Sequence, residues 1–343
     1  MKALVMHRPG MASIEEVAQP EMKAGEALLR VRRVGLCGSD LNTFRGRNPM
    51  VSFPRIPGHE IAATIVALSE KHPHLSAGMD VTLSPYTSCG QCAACRSGRN
   101  NACQHNQTLG VQRDGALTEY ISVPVEKLYT ANLNLQELCL VEPLTVGFHA
   151  VARGRVTAKD TVAVFGCGGV GLGAVAASAF RGATTIAVDI DDAKLAIARE
   201  AGATHTIHSQ RQDLPIALAE LTEGLGPAVV IEAIGTPDTF RAAVDVVAFT
   251  GRVVYIGYAK EPVSYETKFF VQKEIDILGA RNALPEDFRQ VIQMLEQHRF
   301  PAESAVSLVA PLAEAPEALR AWSANPAQFR KIMIDLDKIE ELR

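Results

Sequence analysis

The sequence predicts an α/β protein in which a β-rich domain precedes a doubly wound parallel sheet, and three observations carry that expectation. The chain has 343 residues, enough for two domains or three small ones at about 150 residues each and too many for one core. Up to about Pro124, short apolar runs at residues 27–31, 61–66 and 80–83 are broken by turns, the spacing of a β-rich domain. From about Asp160 strand candidates alternate with helical stretches, the signature of βαβ units on a parallel sheet.

Taken in order, residues 161–165 form the first strand of that sheet and lead into a helix to about Arg181. Residues 184–188 and 228–233 are the next strands, with helices over 191–201 and 238–249, and residues 252–256 close the series. A further strand at 275–279 precedes a helix that starts at Pro285, and residues 331–335 make a last strand. Neither a solenoid repeat nor a low-complexity linker interrupts the chain.

Composition narrows the function classes. With 47% hydrophobic and 21% charged residues, the chain has too much apolar material for intrinsic disorder. Thirty-eight acids against 34 Lys and Arg give a net charge of −4, so no basic footprint points to nucleic acid. The N-terminus meets charge and then the Pro9-Gly10 break before an apolar core of signal-peptide length develops, and a cytoplasmic protein is expected. Residues 163–180 are apolar enough to mimic a membrane span but carry five glycines between Gly166 and Gly173. A glycine-rich turn opening a buried helix explains them better, and no membrane partner is expected.

Those glycines, Gly166-Cys167-Gly168-Gly169-Val170-Gly171, fit G-x-G-x-x-G between a strand and a helix. Gly166 allows the tight turn, Gly168 lets a pyrophosphate approach the backbone, and Gly171 lets the helix pack close to the sheet. The helix N-terminus offers free N–H groups to the anion. Helix-packing glycines alone are the alternative, but the second strand ends in Asp189, 18 residues beyond Gly171, where a carboxylate accepts from the ribose hydroxyls and repels a 2′-phosphate. NAD rather than NADP is the expected cofactor. Lys194, a turn further on, either reaches the adenosine ribose or is solvated.

Two sets of residues have metal chemistry. Cys89, Cys92, Cys95 and Cys103, four of the seven cysteines, crowd into 15 positions. In a cytosolic chain this favours metal over a redox pair or disulfides, and four thiolates close a structural zinc site. The other set is dispersed: Cys37-Gly38-Ser39-Asp40, Gly58-His59-Glu60 and Glu142-Pro143. Each fragment alone is as consistent with a buried thiol or an ordinary histidine.

Together with Gly35-Leu36 before Cys37 and Pro57 before Gly58, and in this order, these motifs resemble the zinc-dependent medium-chain dehydrogenases across nearly the whole chain. Gly-His-Glu followed by Glu-Pro is similar to the sorbitol, threonine and polyol dehydrogenase branch. Residues 281–288 and 46–49 resemble the bacterial L-galactonate and L-gulonate 5-dehydrogenases and the related starvation-sensing oxidoreductase. The resemblance implies a GroES-like β-barrel catalytic domain of residues 1–148 and 285–343, a Rossmann domain of residues 149–284, and a homodimer or homotetramer. It implies a catalytic zinc on Cys37, His59 and Glu60, with Glu142 as a water-bridged or exchanging fourth group, and a structural zinc on the cysteine lobe. Ser39 would take the substrate proton. Asp40 would hold the free His59 nitrogen, or serve the helix N-terminus instead.

Along the dinucleotide the resemblance places Val170, Asp189, Lys194, Ile256, Gly257, Tyr258, Ala280, Arg281 and Asn282. Thr43 falls at a substrate position. A sugar-acid carboxylate needs a guanidinium, with Arg281 the first choice and Arg45, Arg47 and Arg113 as alternatives. One departure stands out: where the family often has a proton-relaying histidine this chain has Asn42, which does not titrate near neutrality. The implied activity is hydride transfer from a secondary hydroxyl of a sugar acid or polyol to NAD. The competing readings are a polyol or threonine-type dehydrogenase, a non-catalytic NAD-binding sensor, and, on the cysteine lobe alone, a zinc-ribbon nucleic-acid module.

Overall fold

The computed structural model describes residues 1–337. Seven strands come first: β1 (Lys2–Arg8), β2 (Met11–Glu16), β3 (Glu26–Leu36), β4 (Glu60–Leu68), β5 (Asp80–Leu83), β6 (Tyr120–Pro124) and β7 (Leu128–Thr130). The short helices α1 (Gly38–Phe44) and α2 (Ala93–Arg96) lie among them in sequence, and α3 (Leu135–Arg153) follows. Then comes an alternating run: β8 (Thr161–Phe165), α4 (Gly169–Phe180), β9 (Thr184–Asp189), α5 (Asp192–Glu200), β10 (His205–His208), α6 (Leu214–Leu221) and β11 (Val229–Glu232). It continues through α7 (Pro237–Val246), β12 (Arg252–Tyr255), α8 (Lys268–Gln272) and β13 (Asp276–Gly279). After α9 (Pro285–Glu296) and α10 (Ala302–Ala305) the chain finishes with β14 (Leu308–Pro311), α11 (Ala315–Ala324) and β15 (Ile332–Asp335).

Two compact units result, Met1–Glu142 with Ala302–Arg343, and Pro143–Pro301. The division differs from the expected 149–284 at both ends. It falls inside α3, and α9, expected with the catalytic domain, joins the second unit. There His149 Nδ1 on α3 meets Asp287 Oδ2 on α9 at 2.9 Å, both buried. Residues 338–343, at the end of the expected catalytic domain, lie outside the described residues.

In the first unit a seven-stranded sheet runs β14-β15-β3-β4-β5-β7, with β6 also on β3. Ala27, Leu29 and Val31 alternate inward, as one buried face requires. The pairing with β4 then shifts between Val31 and Arg33, and this bulge moves the buried set to Val34 and Leu36. These side chains pack with Ile61, Ile65, Leu83, Ile121 and Ile334 in one core.

The second unit holds a six-stranded parallel sheet in the order β10-β9-β8-β11-β12-β13. The winding reverses between β8 and β11, and ligands of such sheets bind outside the carboxyl ends of the strands at that switch point. The glycine segment leaves the end of β8 there. Among the described residues, β10 and α6 extend the sheet beyond the expected series.

Asp160 fixes the entry to β8. Burial works against its charge, but the Thr157 N–H, which it accepts at 2.7 Å, and the Arg252 guanidinium outweigh that and hold its carboxyl below the ordinary value of 3.8. A carboxylate depressed on folding contributes stability that is present above the unfolded value and lost as the pH falls through the folded one. Asp160→Asn should therefore destabilise the protein by about 1–2 kcal/mol at pH 7, and the difference from wild type should shrink below pH 3.8. Urea unfolding at both pH values measures this; an equal difference at both would remove the carboxylate from the account.

Candidate active site

The dispersed set converges because of strand register. Antiparallel pairing of β3 with β4 places Gly35 opposite Glu60, so Cys37, just past β3, comes beside His59, just before β4. Only glycine fits at 35, since a Cβ there would stand 2.0 Å from Glu60 Oε2. The Cys37 thiol, a His59 ring nitrogen and a Glu60 carboxylate oxygen all lie within 4.8 Å of one another. His59 and Glu60 are buried and Cys37 is half-buried.

The field at this cluster is negative. Burial opposes a charged His59, yet Cys37, Asp40 and Glu142 outweigh it and raise the imidazole well above its usual range. Burial, reinforced by the charge of Glu60, pushes Glu142 up to about 7 against the pull of His59. Glu142 lies outside the converging three. Its Oε1 accepts the hydroxyl of Tyr86, itself buried and raised well above the phenol range by burial and the charge of Glu142. His59 Nδ1 is buried and has no hydrogen-bond partner. Thiolate, imidazole and carboxylate in one buried, electronegative spot are a donor set that fits Zn²⁺.

Lys331, which the sequence did not single out, enters from the residue before β15. Its Nζ donates to both oxygens of Glu60 at 2.7 Å and to the Leu36 carbonyl at 3.2 Å. Lysine and glutamate are both buried. Burial alone would lower the amine, but Glu60 and Cys37 raise it.

One expectation needs correction, that for Asp40, and the other candidates have these surroundings. Asp40 makes no hydrogen bond to the free His59 nitrogen. Its carboxylate accepts the Cys37 N–H at 2.8 Å and the Gly58 N–H at 3.4 Å, because it occupies the first turn of α1, where unpaired donors need an acceptor. Thr43 offers no free hydroxyl: buried, it donates to the Ser39 carbonyl and accepts from Asn48. Arg45 is committed to Ser323. Arg113 donates to the Pro85 carbonyl at 3.5 Å, and Glu26, outside the cluster, is the acid that offsets its burial. Arg47 is exposed. Ser39 Oγ, by contrast, is buried without a hydrogen-bond partner.

The four-thiol lobe is built locally around α2. Cys92 Sγ lies 3.5 Å from Cys95 Sγ and 3.9 Å from Cys103 Sγ, and all four sulfurs fall within 4.8 Å of one another. Zn–S bonds of about 2.3 Å in a tetrahedron give sulfur–sulfur edges of about 3.8 Å, so the spacing fits zinc and no disulfide is formed. N–H groups converge on the sulfurs: Cys89 and His105 donate to Cys103, and Cys92 donates to Cys89. The Cys95 and Gln104 N–H groups bring the Cys92 thiol down to about 6.

In the second unit Gly166 turns out of β8 with φ 90°. A Cβ on Gly171 would stand 1.8 Å from the Gly166 carbonyl, whereas one on Gly168, the N-cap of α4, would meet nothing. The first is close packing and the second an open cradle for an anion. Asp189, at the end of β9, accepts the Cys167 N–H at 2.7 Å and those of Ile190 and Asp191. Gly169 and Val170 open α4, and Lys194 lies in the first turn of α5. Ile256, Gly257 and Tyr258 follow β12. Ala280, Arg281 and Asn282 follow β13, with the Ala280 N–H on the Tyr255 carbonyl.

The alcohol dehydrogenase GroES-like domain matches residues 23–132, and the zinc-binding dehydrogenase family matches residues 169–297. L-galactonate-5-dehydrogenase of Escherichia coli K12 is 32% identical over 92% of this chain and 94% of its own length. Sorbitol dehydrogenase of Bacillus subtilis is 36% identical over 81% of each. A crystal structure of the RspB alcohol dehydrogenase of E. coli CFT073, complexed with NADH, superposes with a TM-score of 0.90 at 28% identity, covering 98% of this chain and 99% of that one. The chain therefore belongs to the zinc-type alcohol dehydrogenase family of oxidoreductases, with a GroES-like domain and a Rossmann domain.

Proposed function

We propose that the protein is an NAD-dependent zinc dehydrogenase, a homodimer or homotetramer, that oxidises a secondary hydroxyl of a sugar acid or polyol, with L-galactonate or L-gulonate as the leading substrates. The convergence of a thiol, an imidazole and a carboxylate at Cys37, His59 and Glu60 carries this reading. The relatives named for L-galactonate and sorbitol support its substrate class.

Cys37, neutral His59 and Glu60 hold the catalytic metal, and their two negative charges balance its two positive ones. A zinc held by these residues would supply Lewis acidity that makes an alcohol more acidic, and bound NAD would supply the hydride acceptor. Ser39 Oγ, buried and unengaged, accepts the alcohol proton as it passes its own hydroxyl proton on to water. Glu142, the water-bridged or exchanging fourth group of this reading, is held in place by the hydroxyl of Tyr86. Asn42 cannot titrate, so protons leave through water rather than along a side-chain relay. Asp189 binds the adenosine ribose, the Gly168 cradle receives the pyrophosphate, and Val170, Lys194, Ile256, Gly257, Tyr258, Ala280 and Asn282 line the dinucleotide. Arg281, exposed in the second unit, is the cation offered to a substrate carboxylate. The cysteine lobe holds a structural zinc that orders a loop with little core of its own.

Steady-state turnover with L-galactonate, L-gulonate and the common hexitols, followed by NADH absorbance, tests the reading. Tight NAD binding without turnover of any of them would favour a sensor. Cys37→Ser should halve the zinc content and lower kcat/KM at least about a hundredfold, leaving the lobe loaded; loss of all zinc would break the two-site assignment. Asp189→Ala should raise KM for NAD roughly 10-fold to 100-fold and relax discrimination against NADP. An unchanged cofactor preference would refute the ribose role.

A further inference from the structure

We propose that Lys331 is a built-in counter-cation that competes with the catalytic metal for Glu60 and thereby limits how tightly the Cys37, His59 and Glu60 centre holds zinc. The inference rests on the zinc reading of that centre. Lysine has three donors and no acceptor, and here its Nζ sits 2.7 Å from both Glu60 oxygens and 3.2 Å from the Leu36 carbonyl. The amine is thus fixed from the residue before β15, whose pairing sets Ile332 opposite Leu36. It is 8% exposed and Glu60 is 1% exposed.

Two consequences follow from charge and geometry. The cation lies against a carboxylate that the metal would share, so it would repel a second cation there, in surroundings where water screens weakly. It also occupies both oxygens of Glu60, so a metal must share or displace an existing charge-assisted pair. Lys331 is a positioning residue: it touches a proposed ligand rather than the reacting atoms. Such a device makes Glu60 an exchangeable ligand, which a centre that must admit a substrate hydroxyl can use.

The test is equilibrium competition between full-length enzyme and a graded zinc chelator, read by metal analysis, with the cysteine-lobe zinc as internal reference. Lys331→Met should tighten the catalytic site by about 10-fold to 100-fold, the scale of changes next to metal ligands, and leave the lobe unchanged. Its melting temperature should also rise more on zinc addition than that of wild type, because zinc replaces the missing counter-charge. Lys331→Arg, which keeps the charge, should restore at least part of the wild-type affinity. In a Glu60→Gln background the effect of Lys331→Met should shrink. If Lys331→Met leaves zinc affinity unchanged or weakens it while the protein stays folded, the amine supports the ligand rather than competing for it, and the proposal fails. If Lys331→Met does not fold, the Lys331→Arg and Glu60→Gln enzymes decide by the same titration: Glu60→Gln must bind zinc more weakly and Lys331→Arg no more than threefold differently from wild type, and any other result overturns it. Wild-type enzyme that takes up no second zinc even at saturating zinc would instead overturn the zinc reading itself.

Discussion

The register between β3 and β4 is the constraint on which the rest of the first unit depends. Because Gly35 faces Glu60, the ends of two neighbouring strands deliver a thiol, an imidazole and a carboxylate to one point. A one-residue slip would turn His59 and Glu60 to the opposite faces and exchange their roles. The bulge between Val31 and Arg33 keeps Leu29 and Leu36 in the same core despite their different parity. Core packing and metal chemistry therefore specify the same register, and neither can be changed without the other.

The convergence creates an electrostatic problem. Cys37, Asp40, Glu60 and Glu142 are four acids in one cluster, the three carboxyls buried and the thiol half-buried. Two like charges 4 Å apart cost about 4 kcal/mol at an effective dielectric of 20, so leaving them all ionised and uncompensated would consume much of a typical folding free energy. Each acid has its own solution. Asp40 takes backbone N–H groups, Glu60 takes Lys331, and Glu142 is raised to about 7 and shares the hydroxyl of Tyr86. Cys37 has His59 beside it, so its thiol, the imidazole and the shared Glu60 carboxylate are what the cluster leaves for a metal.

How much of this was legible in the sequence follows chain separation. The four-thiol lobe and the glycine turn are local, so spacing alone reported both. Cys37, His59 and Glu60 were ambiguous one by one and gained weight from their order, a resemblance that stands in for the unseen strand pairing. Tyr86 and Lys331 gave no signal, since the partners that give them meaning are 56 and 271 residues away. A lysine at the start of an apolar strand ordinarily reads as a solvated end. Pro143 concealed α3, although its missing N–H leaves the helix intact. The four residues of β10, framed by His205 and His208, carried too little apolar pattern to stand out. Of the two roles open to Asp40, the structure shows the one at the start of α1, where the Cys37 N–H is bonded to its carboxylate.

Asp189 shows how far a structural and a functional explanation of one residue can coincide. Its carboxylate already satisfies the N–H groups of Cys167, Ile190 and Asp191, so it ties the glycine turn to the end of β9. A carboxylate has about four lone-pair sites, and three backbone donors leave capacity for a ribose hydroxyl. The same bonds aim that capacity: with Cys167 holding one oxygen and Ile190 and Asp191 the other, the carboxylate cannot rotate to meet a differently placed ligand. Cofactor choice on this reading is a matter of orientation as well as charge. An asparagine would be neutral but would have to point an NH₂ group at backbone N–H donors on one side, so it would loosen the glycine turn as it weakened the ribose contact.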